Sequence, residues 1–476
     1  TRARWERLVE NAAGANYNAL RVWGGAYYPP EEFFDLCDQR GLLVYQDFMF
    51  ACRFYWPDEA FVRSVREEAV QVVTRLRNHP SLCVWCGNNE ADFFFTAYTS
   101  DDPETAVVRR MFGREKLNGE EEQAIRQLYG EIFFKTLPQI VADLSPQIPY
   151  VHSSPSVGDR LGTQSMFSYF EGGDSHYYHH VNEDAPYQKL EEFSIRFLSE
   201  FGFQSYPSLK TLKEYLAPDQ LSPYSREMLV HQKSVGGNET IELYMARDFF
   251  VPADFPHYVY MSQVMSGEIL RYTVEHMRRT RDYSRGVLLW QHNDCWPVVS
   301  WAGVDYCGRW KAQQYYAKRF FAPVLASARE EAGTVRLYLV NDRLEPVPGR
   351  LRMTLYQGRT ALETVDGAVE LPPASTGVYA DLTLPQRAPR ERCWVGFSFC
   401  REGQALSIGT LLLTPQKEHT FGRPTLRVGL EQAGGGYRVR LVSDCLAKSV
   451  CLDLEGGDGL FSDNFFDLEP ARPYSV

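Results

Sequence analysis

Long apolar runs are missing from this 476-residue chain: nowhere do about 18 consecutive apolar residues occur, so no segment is built as a membrane-spanning helix. Basic clusters are missing too. The formal net charge is −11 and no lysine or arginine run breaks the acidic balance, which argues against a nucleic-acid partner. The ten cysteines are dispersed instead of forming a short framework, the usage expected of reduced thiols in a cytoplasmic protein. Only Cys83 and Cys86 have CxxC spacing. Residues three apart on a strand face opposite sides and no second pair follows, so neither zinc nor redox chemistry is expected there. Repeats of solenoid period are absent. No signal-like segment precedes the amphipathic start Trp5–Glu10, and the natural amino terminus is expected upstream of Thr1.

What is present is alternation. Ala19–Trp23, Leu42–Gln46, Leu82–Cys86, Pro149–His152, Gly172–Tyr178, Phe197–Glu200 and Gly286–Trp290 read as strands, with helical signals between them at Glu31–Arg40, across Phe61–Leu76, and from 208 to 282. Near-continuous apolar strands separated by helices describe an α/β chain with a parallel sheet. About seven strands are visible; an eight-stranded barrel then needs one more, expected upstream of Thr1. Residues 99–122, with Glu120–Glu122, read as a solvated excursion. After about Pro323 the grammar changes to short alternating runs, among them Val335–Val340, Leu351–Tyr356 and Trp394–Phe399, the signature of an antiparallel sandwich. Thr414–Lys417 reads as a linker to a further β domain with strands at Tyr437–Val442 and Ser449–Leu454. The expected division is 1–322 barrel, 323–415 sandwich and 416–476 second sandwich.

Two of the barrel strands end in glutamate, in Cys86-Gly87-Asn88-Asn89-Glu90 and in Leu198-Ser199-Glu200-Phe201-Gly202-Phe203. Carboxylates at the C-terminal ends of barrel strands project into the mouth where catalytic groups gather, and a pair there is what glycosidic bond cleavage requires. Taken alone, Gly-Asn-Asn-Glu is a turn and helix cap. Arg21 ends the first visible strand, either as a structural ion pair or as a guanidinium favouring an ionised Glu200. Trp23 and Trp290 end strands at the same face, as core packing or as platforms for a sugar ring. Asp47 and Asn89 are placed to accept or hold hydroxyls, and His176 and Tyr178 to orient hydroxyls or the nucleophile. His179 and His180 raise a metal alternative, discounted because no carboxylate pair sits at helix-facing spacing.

Together, Arg21-Val22-Trp23-Gly24-Gly25, Gln46-Asp47-Phe48-Met49-Phe50-Ala51-Cys52, Trp85 to Glu90, Ser199 to Ser205 and Trp290 to Pro297 resemble, in order and spacing, the β-mannosidases of glycoside hydrolase family 2. The resemblance implies a (β/α)8 TIM barrel followed by immunoglobulin-like sandwiches, and a retaining exo-hydrolase acting on terminal β-linked mannose in an oligosaccharide or glycoconjugate. By the same resemblance Glu90 is the acid/base, Glu200 the nucleophile, and Arg21, Trp23, Asp47, Asn89, His176, Tyr178 and Trp290 line the subsite for the cleaved sugar. No metal or organic cofactor is implied. Gly172–Tyr187 departs from the tryptophan-rich pattern of that family, which leaves the leaving-group side undefined. The competing expectations are another family 2 hydrolase (galactosidase, glucuronidase or exo-glucosaminidase) and an inactive carbohydrate-binding fragment.

Overall fold

The computed structural model describes residues 1–56, 58–101, 105–111, 116–156, 173–178 and 185–476. They divide into two compact units: Thr1–Tyr178 with Lys189–Phe201 and Tyr283–Trp290, and His179–Gln188 with Gly202–Asp282 and Gln291–Val476.

The first unit is parallel α/β. Strands β1 (Ala19–Val22), β2 (Leu43–Asp47), β3 (Leu82–Cys86) and β4 (Tyr150–Val151) form one sheet in that order, and β5 (Asp174–Tyr177), β6 (Phe197–Phe201) and β7 (Gly286–Leu289) another. All their pairings are parallel. Helices α1 (Arg2–Gly14), α2 (Glu31–Arg40) and α3 (Glu59–Leu76) alternate with the first strands, the barrel-type α/β arrangement the sequence grammar implies. In α3 the apolar positions Val65, Ala69, Val72, Val73 and Leu76 fall at three- and four-residue steps and are buried, while the Asp58 side chain caps the start by accepting from the Ala60 amide at 2.8 Å. Their core includes Phe34, Val44, Phe48 and Trp85, the last two stacked with ring centroids 5.3 Å apart.

The Glu120–Glu122 run is not a plain solvated face. It is the first turn of a helix over Gly119–Glu131, where the Asn118 side chain accepts from the Glu120 and Glu121 amides and Glu121 reaches back to the Asn118 amide. Negative charge belongs there because helix N-termini carry unpaired N–H groups and the positive end of the helix dipole.

The second unit holds a long helix, Phe255–Arg279, a shorter one, Ala312–Phe320, and the β-rich C-terminal part. Strands β8 (Val324–Glu331), β9 (Thr334–Asn341), β10 (Val347–Gln357), β11 (Thr360–Leu371), β12 (Ser375–Thr383), β13 (Cys393–Arg401) and β14 (Gln404–Leu412) form two antiparallel sheets ordered β11-β10-β13-β14 and β12-β9-β8. Val335, Leu337 and Leu339 of one sheet and Met353, Leu355, Val395 and Phe397 of the other share a single core, which makes this a sandwich. Beyond it, β15 (Leu426–Ala433) and β16 (Gly436–Ser443) pair with β19 (Tyr474–Ser475), and β17 (Ala447–Val450) pairs with β18 (Phe466–Leu468). The strand expected over Ser449–Leu454 stops at Val450. There the Asn464 side chain takes over, accepting from the Leu452 amide and donating to its carbonyl, so a side-chain amide replaces the ladder partner.

Close by the barrel strands, His79 lies between α2 carboxylates, Nδ1 at 2.7 Å from Asp38 and Nε2 at 3.0 Å from Glu31, with Arg75 also paired to Glu31. Burial opposes both charges, yet the hydrogen bonds from Ser81 and His79 hold Asp38 below the usual carboxylate value, and those to Asp38 and Glu31 raise His79 above the ordinary histidine value. His79 therefore contributes fully below its unfolded pKa, about 6.5, and loses that contribution as pH rises through its folded value. Asp38 contributes fully above its unfolded value, about 3.9, and loses it as pH falls through the folded one. The melting temperature of wild type should exceed that of His79→Gln by most between about pH 4 and 6.5, narrowing on both sides; a pH-independent gap would show that these pairs carry no stability.

Candidate active site

The site is built from strand ends in the first unit. At the end of β1 the Arg21 guanidinium is forked across four groups: Nε and Nη2 donate to Asp47 at 3.2 and 2.8 Å, Nη2 also to Asn89 Oδ1 at 2.8 Å, and Nη1 to Glu200 Oε2 at 3.2 Å, with His176 Nε2 3.3 Å from Nη1. Asp47 is fully buried and takes a further bond from the Gly24 amide at 3.0 Å. Gly24 has to be glycine for that approach, since a Cβ would stand 2.5 and 2.6 Å from the Phe50 and Phe48 carbonyl oxygens. Asp47, expected to accept from sugar hydroxyls, meets protein donors at both oxygens. Both of its oxygens are spent on Arg21 and Gly24, so it acts as the anchor of the guanidinium.

Glu90 follows β3 and stands at the N-terminus of the helix α4 (Ala91–Thr99). The capping role that Gly-Asn-Asn-Glu offers is real, but Asn88 performs it: its Oδ1 accepts from the Ala91 amide at 2.9 Å, while its Nδ2 donates to the His152 carbonyl and to Tyr129. With the cap supplied two residues earlier, Glu90 adopts a left-handed φ of 57° and its side chain is free for other partners. Cys52, at the facing strand end, has φ 53°, and its amide donates to the Asn89 carbonyl at 2.9 Å. Two non-glycine residues in this region cost about 1–3 kcal/mol each, a strain typical of functional sites.

The two glutamates meet. One carboxylate oxygen from each of Glu90 and Glu200 and a ring nitrogen of His176 lie within 4.8 Å of one another. His176 Nδ1 is 2.8 Å from Glu90 Oε1, and the Cys52 thiol donates to Glu90 Oε2 at 3.4 Å. The Tyr178 hydroxyl donates to Glu200 Oε1 at 3.0 Å. His176 thus meets Glu90, and Tyr178 meets Glu200, each as a neighbour that can orient a carboxyl. Asn89 is likewise committed, its oxygen to Arg21 and its Nδ2 to the Cys52 sulfur at 3.3 Å. Trp23 and Trp290 stand edge to face with centroids 5.0 Å apart, both half-buried, and Gly25 gives Trp23 its place because a Cβ there would collide with the indole. His179 and His180 lie outside the described residues.

Burial raises both carboxyls, the charge of Glu90 raises Glu200 further, and Arg21 opposes the rise in both. Their hydrogen-bond partners differ: Glu200 receives Arg21 and Tyr178, whereas Glu90 meets a neutral imidazole and a weak thiol donor. His176 is neutral because burial drives its pKa down to about 4. The Cys52 thiol stays protonated since burial and the neighbouring glutamates push it up. Cys52 closes a motif in the sequence but carried no expected role there, because its contact with Glu90 depends on a left-handed turn that no composition rule forecasts at a cysteine.

Two carboxyls brought together at strand ends of a barrel-type α/β fold, with two tryptophans in edge-to-face contact at other strand ends, are the groups a glycoside hydrolase site uses. The comparisons agree. Residues 333–418 match the family description "Mannosidase Ig/CBM-like domain" and 421–476 match "Ig-fold domain" of the mannosidases. The chain is 30% identical to the β-mannosidase of Capra hircus over 96% of its own length and 54% of that protein, and 37% identical to β-mannosidase B of Thermothelomyces thermophilus over 67% of its length and 37% of that protein. A solved β-D-mannosidase from Dictyoglomus thermophilum superposes over the entire chain with a TM-score of 0.87 at 30% identity, this chain covering 56% of it. The chain belongs to the β-mannosidase family of glycoside hydrolases, and it spans about half the length of the curated relatives it matches. Among the described residues no helix is long and apolar enough to cross a membrane.

Removing Arg21 would strand Asp47 and Glu200 as buried anions. Arg21→Met should lower unfolding free energy by about 3–5 kcal/mol in urea titrations, with Arg21→Lys recovering part of the loss because the charge remains and the fork does not. A loss under about 1 kcal/mol for the methionine variant would contradict this account of the guanidinium.

Proposed function

We propose that the protein is a retaining exo-β-mannosidase that removes terminal non-reducing β-D-mannose by double displacement. The observation that carries the proposal is the separation of Glu90 and Glu200, whose oxygens approach within 4.8 Å. Retaining pairs stand about 5–5.5 Å apart, whereas inverting pairs leave about 6.5–9.5 Å for a water.

Glu200, ionised and aimed by Tyr178 and Arg21, attacks the anomeric carbon as Glu90 passes its proton to the glycosidic oxygen and the C–O bond breaks. The product of that step is a mannosyl ester on Glu200. Glu90, now ionised, then takes a proton from water as the water oxygen attacks the same carbon and Glu200 leaves. Positive charge accumulates on the sugar ring at each transition state, next to two carboxylates held in a buried, preorganised frame. Trp23 and Trp290 supply apolar faces against which the ring can stack. Mannose as the sugar rests on the family relationship, and galactosides, glucuronides and glucosaminides are the alternatives to assay.

In the full-length protein, release of nitrophenol from β-mannoside should exceed release from the other three glycosides, and Glu200→Gln should lose at least about 10³-fold in kcat. Preference for galactoside would overturn the substrate assignment. Glu90→Ala should lose about 10²–10⁴-fold on substrates with poor leaving groups, and on 2,4-dinitrophenyl β-mannoside, which needs no acid, azide should speed its turnover with formation of β-mannosyl azide. The α-anomer of that product would contradict the retaining assignment.

A further inference from the structure

Behind the paired glutamates runs a chain of hydroxyls that the reaction scheme leaves unused. His176 Nε2, on the side of the ring away from Glu90, is 3.0 Å from Ser154 Oγ and 3.3 Å from Arg21 Nη1. Ser154 Oγ is also 3.1 Å from Ser199 Oγ and 3.3 Å from Asp174 Oδ1. Ser199 donates to Asp174 Oδ1 in a short hydrogen bond, and the Tyr45 hydroxyl donates to Asp174 Oδ2 at 3.2 Å. Ser154 and Ser199 are both buried.

Donor counting assigns the protons. A guanidinium N–H only donates, so a ring nitrogen facing it has to accept, and the proton of a neutral imidazole then sits on the other nitrogen. Ser199 has one proton and spends it on Asp174, so it cannot donate to Ser154. Ser154 keeps its own proton for the shortest of its three contacts, His176 Nε2. With two donors at Nε2, Nδ1–H points at Glu90 Oε1. That oxygen is then an acceptor only, and the acid proton of Glu90 is confined to Oε2.

Resting on the hydrolase reading above, we propose that Ser154, fixed by Ser199 and Asp174, is a positioning residue that holds His176 in the Nδ1–H tautomer and thereby decides which oxygen of Glu90 carries the transferable proton. Without the Ser154 hydroxyl, Arg21 alone competes against the reversed tautomer, in which Nδ1 would accept the Glu90 proton and draw it away from the leaving group.

The test uses Ser154→Ala in the full-length protein. Its kcat/KM, which reports the first displacement, should fall about 5- to 10-fold on alkyl β-mannosides, whose leaving oxygen needs the proton. On 2,4-dinitrophenyl β-mannoside, whose leaving group needs none, it should stay within about 2-fold of wild type. An equal loss on both substrates, or no loss on either, overturns the proposal. Because the alanine variant can fail to fold, the tautomer is also read directly by NMR of wild-type protein labelled with 15N-histidine, the resonance assigned with His176→Gln. A proton on Nδ1 supports the proposal, and one on Nε2 overturns it. Should wild type cleave neither mannoside, the hydrolase reading fails while the tautomer measurement still decides this one.

Discussion

The Arg21 guanidinium is the interaction on which the site depends. It is buried, and a buried cation is tolerated only where its N–H groups are matched by acceptors. Asp47, Asn89 and Glu200 meet that demand from three different strand ends, while His176 presents a lone pair. One planar group thereby sets the spacing of β1, β2, β3 and β6 at their C-terminal ends. The favourable charge pairs outweigh the burial penalty, so Arg21 stays charged. Its bond to Glu200 also fixes the orientation of that carboxyl.

The surroundings of the two glutamates then divide the chemistry. Glu200 is buried and Glu90 half-buried, and their partners differ more than their exposure does. Glu200 lies between a guanidinium and a phenol, donors that stabilise an anion. Glu90 lies between a neutral imidazole and a thiol, and a thiol is both a weak donor and a weak acceptor. Weak partners leave a carboxyl free to hold a proton and to release it, as general acid and base work demands. Asn88 makes this possible by capping α4 in place of Glu90.

The fold was legible because its grammar is redundant. Leu42–Gln46 and Phe197–Glu200 are apolar enough to announce buried parallel strands, and the period-two runs after Pro323 announce a sandwich. The glutamates, Arg21 and the tryptophans were legible for a related reason: polar or bulky residues closing apolar strands stand out. Less visible were features set by side chains that substitute for backbone. Asn464 ends β17 early, and Asn118 turns the Glu120–Glu122 run into a helix start. Asp47 illustrates the limit most clearly. Its place on the strand was evident, but whether a carboxylate at a barrel mouth faces ligand or arginine depends on a neighbour 26 residues away in the chain. The relation between Ser154, Ser199 and Asp174 carries no sequence signal, since it exists only once β4, β5 and β6 are brought together.

The central claim is that Glu200 forms a bond to the sugar while Glu90 handles the proton. The most direct measurement is to inactivate the full-length protein with 2-deoxy-2-fluoro-β-mannosyl fluoride, whose electron-poor ring slows breakdown of the intermediate, and to locate the label by peptide mass spectrometry. The account predicts a single fluoromannosyl ester on the peptide containing Ser199-Glu200-Phe201, at Glu200. A label on Glu90, or turnover that proceeds with no residue labelled, would contradict it.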